Sequence, residues 1–283
     1  MTIARYEVFQ KVVELGNFTR AAEQLNMTQS AVSHAISSLE KEFGYPLLHR
    51  NKQAKISKTA FADRILPHIR QILISEAIIK QEISIQNNQL EGTLKIGAFT
   101  SAAAQILPKM LSNFKKSYPE IKVVLFEGTY VEIIEWISNG TVDIGFIVEK
   151  DTKKQLQIVP ITQDEIVLGL SKNHPLVPEK TIDIKTITNM DFIMPKAPYQ
   201  SLILENLATH HVSPNIVLEV LNCETIVNMV SQNIGISMGP ELLFKSHKNI
   251  EIKKLKQKKY RQISLAFKEK TPIINAFLIC NSL

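Results

Sequence analysis

The stretch Phe18-Thr19-Arg20-Ala21-Ala22-Glu23-Gln24-Leu25-Asn26-Met27-Thr28-Gln29-Ser30-Ala31-Val32-Ser33-His34-Ala35-Ile36-Ser37 decides the reading of this chain. Two helices that meet at a sharp turn need small residues at their contact, and Ala21 and Ala22 supply them. The turn needs a residue tolerant of left-handed backbone, for which Asn26 is suited. Leu25, Met27, Val32 and Ala35 are the apolar side chains that would pack the second helix. At about 100° per residue counted from Gln29, the residues Ser30, Ser33, His34 and Ser37 fall within roughly 40° to 140°. Ala31, Val32, Ala35, Ile36, Leu39 and Phe43 fall on the other side, between roughly 200° and 340°. An ordinary solvated helix face takes Glu and Lys. Short Ser and Gln heads can instead approach base edges, with the helix start turned to a phosphate. The plain alternative is an amphipathic helix with a small polar face. Its surroundings favour DNA: from Phe43 to Ala62 there is no acid, while Arg50, Lys52, Lys55 and Lys58 all lie inside.

Outward from this stretch, Arg5 to Leu15 reads as a helix with Tyr6, Phe9, Val12 and Val13 on one face and Gly16-Asn17 as its stop. Thr19 is expected to cap a short helix over Arg20–Leu25, and a third helix runs from about Gln29 to Phe43, ending at Gly44. Residues 59 to about 90 read as one long helix. In it Ile65, Ile69, Ile72, Glu76, Ile79, Ile83, Gln86 and Leu90 recur in steps of four and three, a coiled-coil spacing that calls for a partner chain. Packing on its own domain is the alternative. Pro67, near the start, is expected to bend or delay this helix.

From Glu91 the period changes. Strand-like runs at Thr93–Phe99, Val123–Phe126 and Asp143–Val148 alternate with helical runs at Ile106–Phe114 and Val131–Ile137. The alternation implies parallel βαβ units. It returns in Ile166–Leu170, Asp191–Met194, Val217–Leu221, a helix from about Glu224 to Gln232, and Gly235–Met238. The expectation is an α/β protein whose second part has two lobes with a ligand between them.

Composition fits. The chain has 283 residues, about two domains' worth, with 45% hydrophobic and 21% charged residues. Lys plus Arg number 33 against 27 acids, a net +6 that suits a polyanion partner without proving one. Cys223 and Cys280 are too few for a disulfide framework or a Cys-rich zinc site, so a reducing cytoplasm is expected. Neither an apolar leader nor a membrane-length apolar run is present in the sequence, so no membrane partner is expected.

Phe18–Leu25, Thr28–Ser33, Leu39-Glu40 and Gly44–Arg50 together resemble the LysR-type transcriptional regulator family. The likeness continues in Leu107-Pro108, Phe114, Tyr118-Pro119, Gly140–Asp143, His174–Leu176 and Gly235-Ile236, and so spans nearly the whole chain. Ser30 stands where that family commonly has proline, His34 where it commonly has arginine, and Ala60 where a glycine often opens the linker helix. The resemblance implies a winged helix-turn-helix over residues 1–58, with the helix-turn-helix at about 18–37 and the wing at 46–58. It implies a linker and dimerisation helix over 59–90, and a periplasmic-binding-protein-like effector domain over 91–283. Lobe I would hold about 91–160 and 267–283, lobe II about 161–266, with crossings near Pro160-Ile161 and Ala266-Phe267. Thr28, Gln29, Ser30, Ser33, His34, Ser37, Arg50, Lys52 and Lys55 would then contact operator DNA. Thr100 and Ser101, after a strand, and Thr129, after the next, would be lobe I effector contacts, faced by Tyr199, Gln200 and Ser201 of lobe II. From the residues alone, Thr100 and Ser101 read equally as helix caps. Hydroxyls and free N–H groups at such turns suit a small polar or anionic effector. The implied partners are double-stranded DNA, a second copy or a tetramer of copies, and RNA polymerase for an activator.

Other features read plainly. Cys223 at a helix start is a redox candidate by the helix dipole, and otherwise a small, partly buried side chain. His210-His211 point about 100° apart and lack nearby acids, so a surface pair is expected rather than a metal site. Lys253–Arg261, with six cations in nine residues, reads as a solvated face or a guarded edge strand. No nucleophile–base pair, nucleotide loop or metal cluster stands out, so neither an enzyme nor a cofactor is expected. The helix-turn-helix argues against a solute-binding protein, and the 190 or so following residues against a purely architectural DNA binder.

Overall fold

The computed structural model describes residues 2–50, 56–86, 90–148 and 156–283. Helix α1 (Thr2–Leu15), α2 (Phe18–Gln24) and α3 (Gln29–Phe43) close over Phe9, Val12, Ala21, Val32, Ile36 and Leu39, all buried. The cap of α2 is Asn17, whose side chain accepts from the Arg20 N–H at 3.0 Å; Thr19 lies inside the helix. An Asx cap two residues earlier starts the helix at Phe18 and lets its ring join the core. Asn26 takes φ 52° at the turn, and Gly44 ends α3 in the left-handed region at φ 74°. Strands β1 (Leu48–Arg50) and β2 (Ile56–Lys58) pair antiparallel as a wing. The Glu40 carboxylate fixes the wing to α3 by accepting from the N–H groups of Leu47 and Leu48 at 2.8 and 3.3 Å.

Helix α4 (Ala60–Gln86) carries Pro67 inside it. Thr59 caps it: its hydroxyl accepts from Ala62 N–H at 3.1 Å and donates to Pro46 C=O at 2.8 Å. The apolar stripe divides. Ile69 is buried in the core of the DNA-binding part and Ile65 packs against it, so neither is free for a seam. Ile72, Ile79 and Ile83 are 43%, 59% and 57% exposed. Leu90 packs on the core of the next domain. The single stripe of the sequence is therefore three surfaces with different tasks.

The remainder holds β3 (Thr93–Ala98), α5 (Thr100–Gln105), α6 (Leu107–Ser117), β4 (Lys122–Glu127), α7 (Tyr130–Asn139), β5 (Ile144–Val148) and β6 (Gln157–Ser171). Then come β7 (Thr181–Ile182), a 3-10 turn at Ile184–Ile187, β8 (Asp191–Pro195), α8 (Gln200–Thr209), β9 (Asn215–Val220) and α9 (Cys223–Ser231). Strand β10 (Ser237–Pro240), α10 (Glu241–Phe244), β11 (Ile250–Leu255), β12 (Tyr260–Phe267) and α11 (Pro272–Cys280) complete the chain. The main sheet has the order β4-β3-β5-β12-β6-β11-β7, with β10 also on β6. Strands β3, β4 and β5 are mutually parallel, as the βαβ reading requires.

Fifteen-residue β6 serves both lobes. Its first half pairs with β12 over Gln157–Glu165, and its second half pairs with β10 and β11 over Ile166–Ser171. Strand β12 pairs with β5 through Ile263–Phe267, so it belongs to lobe I. The crossings thus lie at Asp164–Ile166 and Lys259–Arg261, where Ile166 N–H reaches Lys259 C=O at 2.8 Å. This moves them from the expected Pro160-Ile161 and Ala266-Phe267, because both strands stay hydrogen-bonded to lobe I for several residues more. Each lobe has its own core, one around Phe114, Phe146 and Phe277, the other around Phe192, Leu168 and Ile203.

Candidate nucleic-acid interface and ligand cleft

On α3 the buried and exposed faces separate as the 100° step requires. Val32, Ala35, Ile36 and Leu39 are buried; Thr28, Gln29, Ser30, His34 and Ser37 are exposed, and Ser33 is half-buried. Thr28 is the N-cap, its hydroxyl accepting from Ala31 N–H at 3.2 Å and lying 3.0 Å from the Ser30 hydroxyl. That arrangement leaves a compact hydroxyl pair at the helix start. Arg50 ends β1; its side chain, with Lys52 and Lys55, lies outside the described residues. Lys58 at the base of the wing pairs with Asp63 of α4.

Between the lobes lies a cavity of about 670 Å³. Thr100, Ser101, Thr129 and Tyr199 line it, brought together from the ends of β3, β4 and β8. Gln200 and Ser201 do not line it. Helix α8 starts at Gln200, whose N–H already bonds to Ala197 C=O at 2.8 Å, and Ser201 faces solvent. The turn residues just before α8, Ala197 and Pro198, line the cavity instead.

The decisive side chain is one the sequence did not single out. Arg261, in the cationic run, is 3% exposed and sits at the crossing between the lobes. Its Nε and Nη2 donate to Asp164 Oδ2 at 2.9 and 2.6 Å, and Nη2 also donates to the Ser101 hydroxyl at 2.8 Å. Nη1 donates to the Tyr130 hydroxyl, and the guanidinium lies 5.2 Å from the centre of the Phe99 ring. A parity signal was present: in β12, Arg261 falls on the same face as Ile263, Leu265 and Phe267, which are all buried.

Neither Thr100 nor Ser101 caps α5, whereas Thr129, which the sequence did not offer as a cap, does cap its helix. Thr129 is a full capping box on α7: its N–H and hydroxyl donate to Glu132 Oε2 at 2.8 and 2.7 Å, and its hydroxyl accepts from Glu132 N–H at 3.4 Å. These bonds hold the Glu132 carboxyl below its usual range, so it is ionised at neutral pH. Ser101 instead accepts from Arg261, while the N-cap of α5, Phe99, makes no side-chain cap bond. Burial pushes the Tyr199 and Tyr130 hydroxyls up, so both stay neutral donors.

Cys223 also lines the cavity, and burial, with the neighbouring Glu224 carboxylate, pushes its thiol up to about 12. Both causes disfavour the thiolate at this helix start. His210 ends α8, and exposed His211 sits at φ 54°. Among the described residues no group of His, Cys, Asp and Glu could hold a metal, and no helix is long and apolar enough to cross a membrane.

Set beside known proteins, this architecture has clear kin. A family model described as "LysR substrate binding domain" matches residues 87–278, and one described as "Bacterial regulatory helix-turn-helix protein, lysR family" matches residues 3–63. The uncharacterized HTH-type transcriptional regulator YvbU of Bacillus subtilis (strain 168) is 30% identical over 269 residues, covering 94% of this chain and 91% of its own. A full-length OxyR variant from Pseudomonas aeruginosa superposes with a TM-score of 0.78 at 19% identity, covering 99% of this chain and 94% of that one. Full-length CbnR complexed with its target DNA gives 0.66 at 22% identity, covering 99% and 98%. The chain belongs to the LysR family. It is a DNA-binding transcriptional regulator with a C-terminal effector-binding domain, and not an enzyme.

Proposed function

We propose that this regulator reads operator DNA through Thr28, Gln29, Ser30, Ser33, His34 and Ser37 of α3, with Arg50, Lys52 and Lys55 of the wing on flanking phosphates. The observation that carries the reading is the uncharged face of α3, presented at the surface beside a wing tied to the same helix by Glu40. His34 reaches less far than a guanidinium and gives up its bidentate contact. Replacing Gln29 and Ser33 together with Ala is expected to abolish sequence preference while leaving phosphate binding, at about 1–3 kcal/mol per lost base pair contact. An unchanged footprint at unchanged affinity would overturn the docking.

The exposed isoleucines of α4 pair two copies, and two such pairs give a dimer of dimers on half-sites in inverted repeat. Where the protein activates, this assembly presents a surface to RNA polymerase, in the cytoplasm. A small-molecule effector lodges in the inter-lobe cavity against Thr100, Ser101, Thr129 and Tyr199 and draws the lobes together. The cavity and α3 share no residues, so its effect travels through the packing of the assembly. Coupling of about 1–3 kcal/mol appears as an altered footprint or bend. Thr100→Val removes a hydroxyl at constant volume and is expected to blunt the response while basal operator binding persists. Full response in both Thr100→Val and Thr129→Val would place the effector elsewhere.

A further inference from the structure

Several of the places in the cleft where an anion would settle are already held by the chain's own acceptors. Arg261 has five N–H donors, and four are spent on Asp164, Ser101 and Tyr130. Asp164 cancels its charge. At the start of α5, the N–H groups of Ala102 and Ala103 bond to Phe99 C=O, both at 2.9 Å. At the start of α7, the Glu132 carboxylate takes the Thr129 N–H. At the start of α10, the other Asp164 oxygen takes the Leu242 N–H at 3.1 Å. At the start of α9, Asn222 caps and Glu224 sits in the first turn. The carboxylates Glu127, Glu132 and Glu224 line the cavity, with His247 as the one histidine, and among its described lining residues the one Lys or Arg is Arg261, paired with Asp164. This stands against a whole-chain charge of +6. Exposed Leu221, together with Phe99 and Tyr199, gives the same space an apolar and aromatic wall.

We propose that the effector of this cleft is an organic cation, an ammonium or guanidinium carried on an apolar body, rather than the anion suggested by the hydroxyls and turns. The proposal rests on the cleft being the effector site and names the chemical class that it takes. The charged head lies among Glu127, Glu132 and Glu224, where a low-dielectric crevice focuses their field. The body lies against Leu221 and Tyr199. A volume of about 670 Å³ admits a molecule of metabolite size.

The test reads the potential of the cleft without needing the natural ligand. In the full-length chain, Cys223 and Cys280 are replaced by Ser and exposed Thr100 by Cys. Modification rates are then measured with the cationic trimethylammonioethyl and the anionic sulfonatoethyl methanethiosulfonates, each relative to a free thiol. The cationic reagent is expected to be favoured about tenfold or more, and each of Glu127→Gln and Glu224→Gln to lower that ratio about threefold, as for exposed ion pairs. A ratio equal to that of the free thiol, or one favouring the sulfonate, overturns the proposal. As a check that needs no cysteine variant, phenethylammonium and phenylacetate are compared on the unaltered chain by ligand-observed NMR. Binding of the ammonium that weakens in Glu127→Gln/Glu224→Gln supports the class; equal or preferred binding of phenylacetate overturns it. A cation that binds here without changing the operator footprint would instead sink the effector reading and leave the charge preference standing.

Discussion

Arg261 and Asp164 form a buried pair whose side chains are 2% and 1% exposed, each leaving the other costly if removed. Arg261→Met is expected to destabilise the effector domain by about 3–5 kcal/mol, since Asp164 is then buried without a counter-charge. Arg261→Met with Asp164→Leu should recover most of that loss, a result that urea unfolding of the four members of the cycle can check. Nearby, a Cys223 thiol pushed up to about 12 is ionised to roughly one part in ten thousand at pH 8. Iodoacetamide, followed by peptide mass mapping, should therefore modify Cys223 far more slowly than a free thiol through pH 9, and at the free rate once the chain is unfolded. At this scale the sequence was legible where one turn of chain makes the feature: Asn26 and Gly44. Arg261 was not, because its partners lie 97, 131 and 160 positions away and it closes a run of lysines that reads as a surface feature.

Elements were more legible than their ends. Periodicity marks α1, α3 and the alternation of β3 to β5, since each buries one face on a nearby partner. It misjudged α4, because a heptad pattern records that residues are apolar without saying which of three surfaces covers each. Ile72 and Ile79 are exposed in the protomer, so Asp at both positions should leave its thermal stability nearly intact. Sedimentation should then show monomers, and operator affinity should fall; an intact dimer would move the seam off α4. The wing offers a second test. Glu40→Ala removes the acceptor for two N–H groups of Leu47 and Leu48 and frees the wing from α3. Titrations are expected to show about 1–3 kcal/mol weaker binding to specific and non-specific DNA alike.

Among the described residues, specific contacts join the linker helix to lobe I. Linker helix α4 holds lobe I through Gln71 to Glu269 at 3.0 Å, through Gln81 Oε1 to Ile273 N–H at 3.4 Å, and by Ile74 against Gly140. Gly140 takes φ 74°, and a Cβ there would stand 3.1 Å from the Ile74 Cδ1. Gly140→Val is expected to add about 1–2 kcal/mol of left-handed strain and to prise the helix from the lobe. Small-angle scattering should then show a larger radius of gyration, with the footprint less responsive to ligand. The two-lobed plan itself was legible from the βα alternation, but the crossing points were not: a strand shared by two lobes looks in sequence like any other strand.

That sharing limits what the lobes can do. Through the crossing, β6 and β12 stay laced together by backbone bonds. Sliding one along the other by a single residue would turn each side chain to the wrong face. Twisting the pair about its length breaks no rung of the ladder. The shared ladder resists translation more than torsion, so a ligand that draws the lobes together is expected to be read as a change of angle.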